Sequence, residues 1–549
     1  MPVEVLVFVI VAVFVIVFAS SLSQRTGIAG PLILVAVGVG VSLIPGVAAV
    51  SVPPELILVG VLPPLLFSAA VSAPAIEFRR DLAAIGGLSV LLVIVSAVVL
   101  GLFFFWAIPG LGFPLAVALG AILSPTDAVA TSIVRRLGVP RRVVTVLEGE
   151  SLLNDATALV LLRTAIVAAA SGFSFLTTLG SFAWAVLSAV AVGAGAGWLA
   201  LRLRAWTTSA TANTALGLTI PYIAYLPTEA LGGSGLVAAV VAGVVCGQGA
   251  VRWLTPEQRI SDKLTWRTIA FLLEGAVFLL MGLELWGIVE SNLEAEEGLL
   301  AGIAIAAVAL VILIAVRAAY VFPMMQVHTA RVARSVRHRL SVDGAGSGRR
   351  TAGRMRADIE YFDASPLTWK HNAMIVWAGM RGAVTLAAAQ TLPAEVPSRD
   401  LLVFIAFLVA AGSLLLQGMT LPVLARLLGL RAAGASGPPR DEIRSIDEQL
   451  RDAAQAAIDG DTLQRRGRTP FSDALSSLPR AGFVAPLDPR GGADAPEALE
   501  FQLALIAVMR ERLHELGRSG HHSTTALRYV LDELDAFEIS VKLHLESER

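Results

Sequence analysis

The sequence predicts an all-α polytopic membrane protein of about thirteen transmembrane helices followed by a soluble helical region, and three observations carry that prediction. Of 549 residues, 56% are hydrophobic and only 15% charged, and the mean hydropathy is +0.73. That is too apolar for a soluble globular chain of this length. Apolar segments of spanning length recur as far as residue 428, and cations cluster in alternate connections between them. The net charge of −1 gives no electrostatic reason to expect a nucleic-acid partner. The single cysteine, Cys246, rules out an internal disulfide, no Cys/His cluster marks a metal site, and no cofactor is expected.

The first apolar run, Val5 to Ala19, has Glu4 before it and its first cation, Arg25, after it. This is the reverse of a secretory signal and places the N-terminus outside. Spans then follow at about 3–22, 28–50, 54–73, 82–108, 113–136, 143–170, 175–203, 212–227, 233–250, 266–289, 298–322, 370–393 and 399–428. The span at 212–227 is short and polar around Pro221 and Tyr222, so twelve is the competing count. The basic connections carry Arg25; Arg79 and Arg80; Arg135, Arg136, Arg141 and Arg142; Arg202 and Arg204; Arg252, Arg259 and Lys263; and a long loop from Arg331 to Arg356. The positive-inside rule makes these cytoplasmic, and an odd number of spans leaves the C-terminus there too. A Gly/Ser/Pro stretch, Gly434 to Pro439, marks a boundary near 431, dividing a transmembrane domain (1–430) from a cytoplasmic helical region (431–549). In the latter, 441–457, 496–517 and 523–545 have helical periodicity around a Pro/Gly-rich stretch, Thr469 to Pro496. His521 and His522, beside Gly520, read as a solvated loop, with a pH sensor as the competing reading.

Residues 148–160, EGESLLNDATALV, put Glu150, Ser151, Asn154 and Asp155 inside a spanning segment. A charge at the centre of a membrane helix costs roughly 2.5–3.5 kcal/mol on insertion scales, so such acids point to a functional site. Ser151 and Asp155 are four apart, as are Glu150 and Asn154, and helical geometry puts Ser151, Asn154 and Asp155 on one side. Ser124-Pro125-Thr126-Asp127 should break the span at 113–136, because proline removes a backbone donor and clashes with the preceding turn. Gly379 and Gly382, on either side of Met380 and Arg381, should break the span at 370–393. Each broken span is the middle member of a three-helix group (82–170 and 298–428), the pattern of an inverted repeat whose broken helices cross.

SPTDAVA at 124–130, EGESLLNDATALV at 148–160, FLLEGAVFLLMGLEL at 271–285 and GMRGAVTLAAA at 379–389 resemble the signature segments of the sodium/proton exchanger family of monovalent cation/proton antiporters, NhaP type. The resemblance covers residues 1–430. It implies a thirteen-helix fold in which a six-helix core moves against a dimerisation domain, a homodimer in the cell membrane, and exchange of Na⁺, K⁺ or Li⁺ for H⁺ in pH and cation homeostasis. Asp155 would match the carboxylate that alternately holds cation and proton, with Thr126 and Ser151 as further oxygen ligands of the monovalent cation. Asn154 and Asp127 would match an amide–carboxylate pair hydrogen-bonded across the crossing. The asparagine form of that pair implies electroneutral exchange. Glu150 and Arg381 would match a buried ion pair. Glu274 reads as an accessory acid, and Ser68 stands where many relatives have a glutamate; Arg163 and Arg317 read as partners or snorkelling cations.

Two other classes compete. An intramembrane aspartyl protease would use two carboxylates that share a proton, but neither YD nor GxGD surrounds Asp127 or Asp155. The expectation is therefore a transporter and not an enzyme. A cation-coupled solute symporter could use the same broken helices.

Overall fold

A computed structural model describes residues 3–44, 53–171, 175–294, 298–342, 357–358, 361–362, 366–393, 395–430, 440–460, 462–465, 471–472 and 495–547, and among them there are helices and no strands. In chain order these are α1 (Val3–Thr26), α2 (Gly30–Ser42), α3 (Leu56–Ser72), α4 (Ala75–Arg80), α5 (Leu82–Ala107), α6 (Phe113–Leu123), α7 (Ala128–Arg136), α8 (Arg141–Ser171), α9 (Phe175–Ala205) and α10 (Ala210–Ala230). They continue with α11 (Gly235–Trp253), α12 (Pro256–Leu283), α13 (Leu285–Glu294), α14 (Leu299–Val342), α15 (Trp369–Trp377), α16 (Ala383–Gln390) and α17 (Arg399–Leu427). Three more, α18 (Arg440–Asp459), α19 (Ala495–Ser519) and α20 (Thr524–Ser547), form the C-terminal region. The boundary near 431, most of Thr469–Pro496 and residues 343–356 of the long basic loop lie outside the described residues.

A helix or a pair of half-helices stands at each apolar segment of the sequence. Among the described residues, nine stretches are long and apolar enough to cross a membrane, with α2 and α3 as shorter apolar helices. The segment expected to be marginal, α10, is an unbroken helix of 21 residues that contains Pro221 and Pro227. Membrane helices tolerate proline where neighbouring groups satisfy the freed backbone. The two expected breaks are present, between α6 and α7 and between α15 and α16.

The helices pack as two bundles. One contains α1, α2, α3, α9, α10, α11 and α12; the other contains α5 to α8 and α14 to α17, with α13 packed on α17. The core of the second surrounds the breaks, where Leu119, Leu123, Met374, Ala378, Met380 and Leu402 are all buried. Short α4 connects the bundles and packs on α8.

Helices α18 to α20 bury their own apolar faces, including Ile446, Leu450, Phe501, Leu505, Val530 and Leu531. They dock on the basic end of the membrane bundles. The buried carboxylate of Glu77, on α4, accepts from the backbone N–H and the hydroxyl of Thr524 (2.8 and 2.6 Å), and so caps the first turn of α20. Arg528 donates to the carbonyls of Val71 and Ala73 at the end of α3 (3.2 and 3.0 Å). Arg259 of α12 pairs with Asp535, and Lys542 reaches Glu257 at 2.9 Å.

This docking corrects the reading of the histidine pair. His521 is exposed, but His522, just before α20, is 8% exposed and meets α18 at Gln449. Its Nε2 lies 3.2 Å from the Gln449 amide nitrogen, while Gln449 Oε1 accepts from Arg512, so the amide presents its donor to the imidazole. A neutral ring satisfies that donor, whereas a protonated one would set N–H against N–H. Burial is the main force holding the His522 pKa below 6.5, with nearby His521 acting in the same direction and Glu442 opposing them. The unfolded imidazole therefore binds protons more readily than the folded one. Stability from this site is complete above the unfolded value and is lost as pH falls through the lower folded value. Amide protection in 440–459 and 520–531 should thus drop between pH 7.5 and pH 5.5, and His522→Phe should flatten that dependence. Equal protection of the unsubstituted chain at both pH values would remove His522 as a titrating contact.

Candidate functional site

Where α6 ends at Leu123 and α7 begins at Ala128, and again at 378–382, backbone groups deep in the protein have no intrahelical partners. The two breaks satisfy each other. Asp127 N–H donates to the carbonyl of Met380 at 2.8 Å, and the Arg381 guanidinium donates to the carbonyls of Leu123 (2.9 Å), Ser124 (3.3 Å) and Gly379. A cation is favoured at a helix C-terminus, and here two half-helix ends, of α6 and α15, share one. The side chain of Asp127 accepts from Val129 N–H at 2.9 Å and is the N-cap of α7. Glycine is required at 382, since a Cβ there would lie 1.3 Å from Asp127 Oδ2.

Arg381 therefore does not pair with Glu150, contrary to the sequence expectation. Its donors are committed to backbone carbonyls, and Glu150 is held by Arg317 from α14, with Nη2 at 2.7 Å and Nη1 on the second oxygen. Arg317 also donates to the carbonyl of Ile375 through Nε and Nη2 (3.1 and 3.0 Å). A Cβ at Gly379 would meet Arg317 Nε at 2.4 Å, so the second glycine of the break makes room for this cation. Both charges are 1–2% exposed, and the bidentate geometry is what makes such burial tolerable. Residue spacing alone could not choose between Arg317 and Arg381, because both lie in apolar segments of the same three-helix group.

Asn154 is the second correction. Its amide donates to the carbonyl (3.1 Å) and hydroxyl (2.8 Å) of Thr126, not to Asp127. Helix α8 thus presents two stripes, one of Glu150 and Asn154 turned into the protein and one of Ser151 and Asp155 turned to a cavity.

That cavity, of about 300 Å³, lies between the two bundles. Its walls carry Asp127, Asp155 and Glu274 together with the hydroxyl residues Thr126 and Ser151, and it extends past Ser132 to Ser23 and Arg136 at the basic end. The Thr126 hydroxyl donates to Glu150 (3.3 Å) and that of Ser151 to the carbonyl of Glu148 (3.2 Å), which leaves oxygen lone pairs for the cavity. Carboxylates and such hydroxyls are the donor set of a hard cation. Ser68 is buried away from this wall, 3.5 Å from the carbonyl of Trp266, while its neighbours Leu65, Leu66 and Ala69 line it. Ser132 and Thr385 also line the cavity and were not anticipated; their place follows from the fold, since neither carries a charge that would mark it in an apolar segment.

Removing one member of a buried ion pair costs about 3–5 kcal/mol, because the other charge is left uncompensated. Glu150→Gln and Arg317→Met should each cost about that much, and the double variant less than their sum. Glu150→Gln with Arg381→Met should come closer to additivity. Thermal unfolding of the purified variants reads both cycles, and additive losses for Glu150 and Arg317 would contradict the pairing.

Residues 9–427 match the family model described as sodium/hydrogen exchanger, transmembrane. The chain is 30% identical over 533 residues to the uncharacterized Na⁺/H⁺ exchanger YjcE of Escherichia coli, spanning 88% of this chain and 89% of that one. It is 31% identical over 407 residues to the Na⁺/H⁺ antiporter ApNhaP of Aphanothece halophytica, spanning 73% and 69%. Its fold is similar to that of the sodium proton antiporter MjNhaP1 of Methanocaldococcus jannaschii, with a TM-score of 0.58 at 16% identity, covering 78% of this chain and all of that one. These likenesses favour exchange over symport, and together with the crossed half-helices and the oxygen-lined cavity they lead to one conclusion: the chain belongs to the transmembrane sodium/hydrogen exchanger family and is a cation/proton antiporter.

Proposed function

We propose that Asp155 is the shared site of the transported cation and the proton, that Na⁺ is the principal cation, and that one Na⁺ exchanges for one H⁺. The observation that carries this reading is the cavity between the bundles, in which Asp155 stands with the oxygens of Ser151 and Thr126. A carboxylate there binds either a proton or a cation, so the two compete and their fluxes are coupled. K⁺ and Li⁺ take the same oxygen ligands and remain in the substrate class; Na⁺ is favoured because the relatives named above are Na⁺/H⁺ exchangers or antiporters.

Asp127 is assigned a fixed charge and not a carrier. Its partner is the backbone N–H of Val129 at the start of α7, and the N-terminus of a helix favours the anion. Asn154 acts by holding Thr126, and Glu274 is an accessory acid on the opposite bundle. The cell membrane, an outside N-terminus, a cytoplasmic C-terminus and a homodimer complete the reading. The first three are supported by hydropathy and by cations concentrated in alternate connections, with Arg399 the main exception, and the dimer by family likeness. The basic end of the cavity then faces the cytoplasm. The C-terminal helices regulate and do not carry ions, since Glu77, Arg259 and the end of α3, which hold them, lie off the cavity.

Asp155→Asn should abolish Na⁺-dependent proton flux in proteoliposomes while leaving insertion and thermal unfolding near those of the parent; appreciable flux would exclude Asp155. A membrane potential acts on net transported charge at about 2.3 kcal/mol per elementary charge per 100 mV. The Na⁺ flux-reversal point at fixed pH gradient should therefore not move when a valinomycin-clamped potential is imposed. A shift would mean that a second proton moves and would make Glu274 or Asp127 its carrier.

A further inference from the structure

The cavity opens toward the basic end, and what closes the opposite side is a plug and an ion pair. Beyond Asp155, two leucines of α8, Leu159 and Leu162, separate a small void of about 10 Å³, which Asp155 lines with Pro125 and Ala388, from an outer one of about 200 Å³. The outer void is walled by Leu58, Tyr225, Leu236 and Thr391, from both bundles. At its rim Arg163 of α8 donates to Glu229 of α10 at 2.7 Å. The other oxygen of Glu229 accepts from Gly235 N–H at 2.9 Å, which pins this carboxylate to the start of α11. Arg163 is therefore the member that can leave, and the contact is one between the bundles.

Arg163 lies two helical turns, about 12 Å, beyond Asp155 on one unbroken helix. Alternating access requires one bundle to move against the other so that the same site meets the far side. A rigid α8 carries Asp155, the two leucines and Arg163 together. Such a movement carries Arg163 away from Glu229, which stays with the other bundle.

We propose that Arg163 and Glu229 form the far-side latch of the antiporter, closed when Asp155 faces the basic end and broken each time it faces the other. The latch rests on the assignment of Asp155 as the ion site, and it makes Arg163 and Glu229 positioning residues that never touch the ion. An exposed pair of this kind contributes modestly, so Arg163→Gln should shift the bundle equilibrium toward the far-facing state by up to about five-fold and leave exchange in place.

The test begins from Cys246→Ala, which removes the single native thiol. In that background Arg163→Cys with Glu229→Cys is bridged by a short bifunctional methanethiosulfonate. Bridging should reduce Na⁺/H⁺ exchange in proteoliposomes at least ten-fold, and a reductant should restore it; each single-cysteine variant treated in the same way should keep its own untreated rate. Na⁺ should still protect the bridged protein against thermal unfolding, because the basic-end cavity stays open. A second readout is Leu159→Cys, which an impermeant thiol reagent added from the far side should label severalfold faster when Arg163→Gln is present. Exchange by the bridged protein at the unbridged rate would overturn the latch, as would equal labelling with and without Arg163→Gln. Failure of the ion assignment would look different: Asp155→Asn would continue to exchange, whatever the bridged protein did.

Discussion

The hydrogen bond from Asp127 N–H to the carbonyl of Met380 is the constraint on which the rest of the architecture depends. A helix broken at membrane depth leaves donors and acceptors that lipid cannot satisfy, each at a cost of several kcal/mol. One broken helix alone would be unstable. Two that cross can complete each other, with backbone bonded to backbone at the crossing and one arginine serving two C-terminal ends. The sequence follows from that geometry: glycine at 382 because Asp127 occupies the space of a Cβ, glycine at 379 because Arg317 does.

Charge is then divided between two layers. Glu150 with Arg317 neutralise each other inside the second bundle, and Arg381 is neutralised by carbonyl dipoles. Among the described residues, no ion pair engages Asp127, Asp155 or Glu274, all of which line the cavity. The protein thus satisfies its structural charges internally and leaves carboxylates facing the water-accessible space, where a cation or a proton can meet them. Had Arg317 reached Asp155 instead, the proposed ion site would hold a permanent internal cation and no exchangeable one.

The positions of the helices and breaks were legible because the bilayer enforces them locally: span length, Pro125, paired glycines and the spacing of Ser151 and Asp155 are all read within one segment. Partners across segments were not. Arg317 and Arg381 are equivalent on hydropathy, and only the fold shows that one meets a carboxylate and the other meets helix ends. Helical spacing puts Asn154 on one side with Ser151 and Asp155, yet at 100° per residue it lies nearer still to Glu150, four residues before it, and the fold turns those two together toward Thr126. His522 was misread for the opposite reason, since a Gly-His-His turn looks solvated until a membrane-side glutamate caps the helix that follows it.

The same turn shows how the C-terminal helices reach the transport machinery without entering it. Glu77, which caps α20, lies four residues before Asp81, and Asp81 is fully buried against Arg142 of α8 at 2.9 Å, with the Tyr361 hydroxyl donating to its other oxygen. Arg80, between them, donates to the carbonyl of Gly520 and to Asp358. Short α4 is therefore gripped on one side by the C-terminal region and on the other by the helix that carries Asp155. Because α4 is also the covalent link from α3 to α5, and hence from one bundle to the other, displacement of one bundle past the other must be absorbed at its ends. A contact that stiffens or releases α4 acts on the rate of that displacement while leaving the cavity walls untouched, which gives the proposed regulatory region a physical lever on turnover.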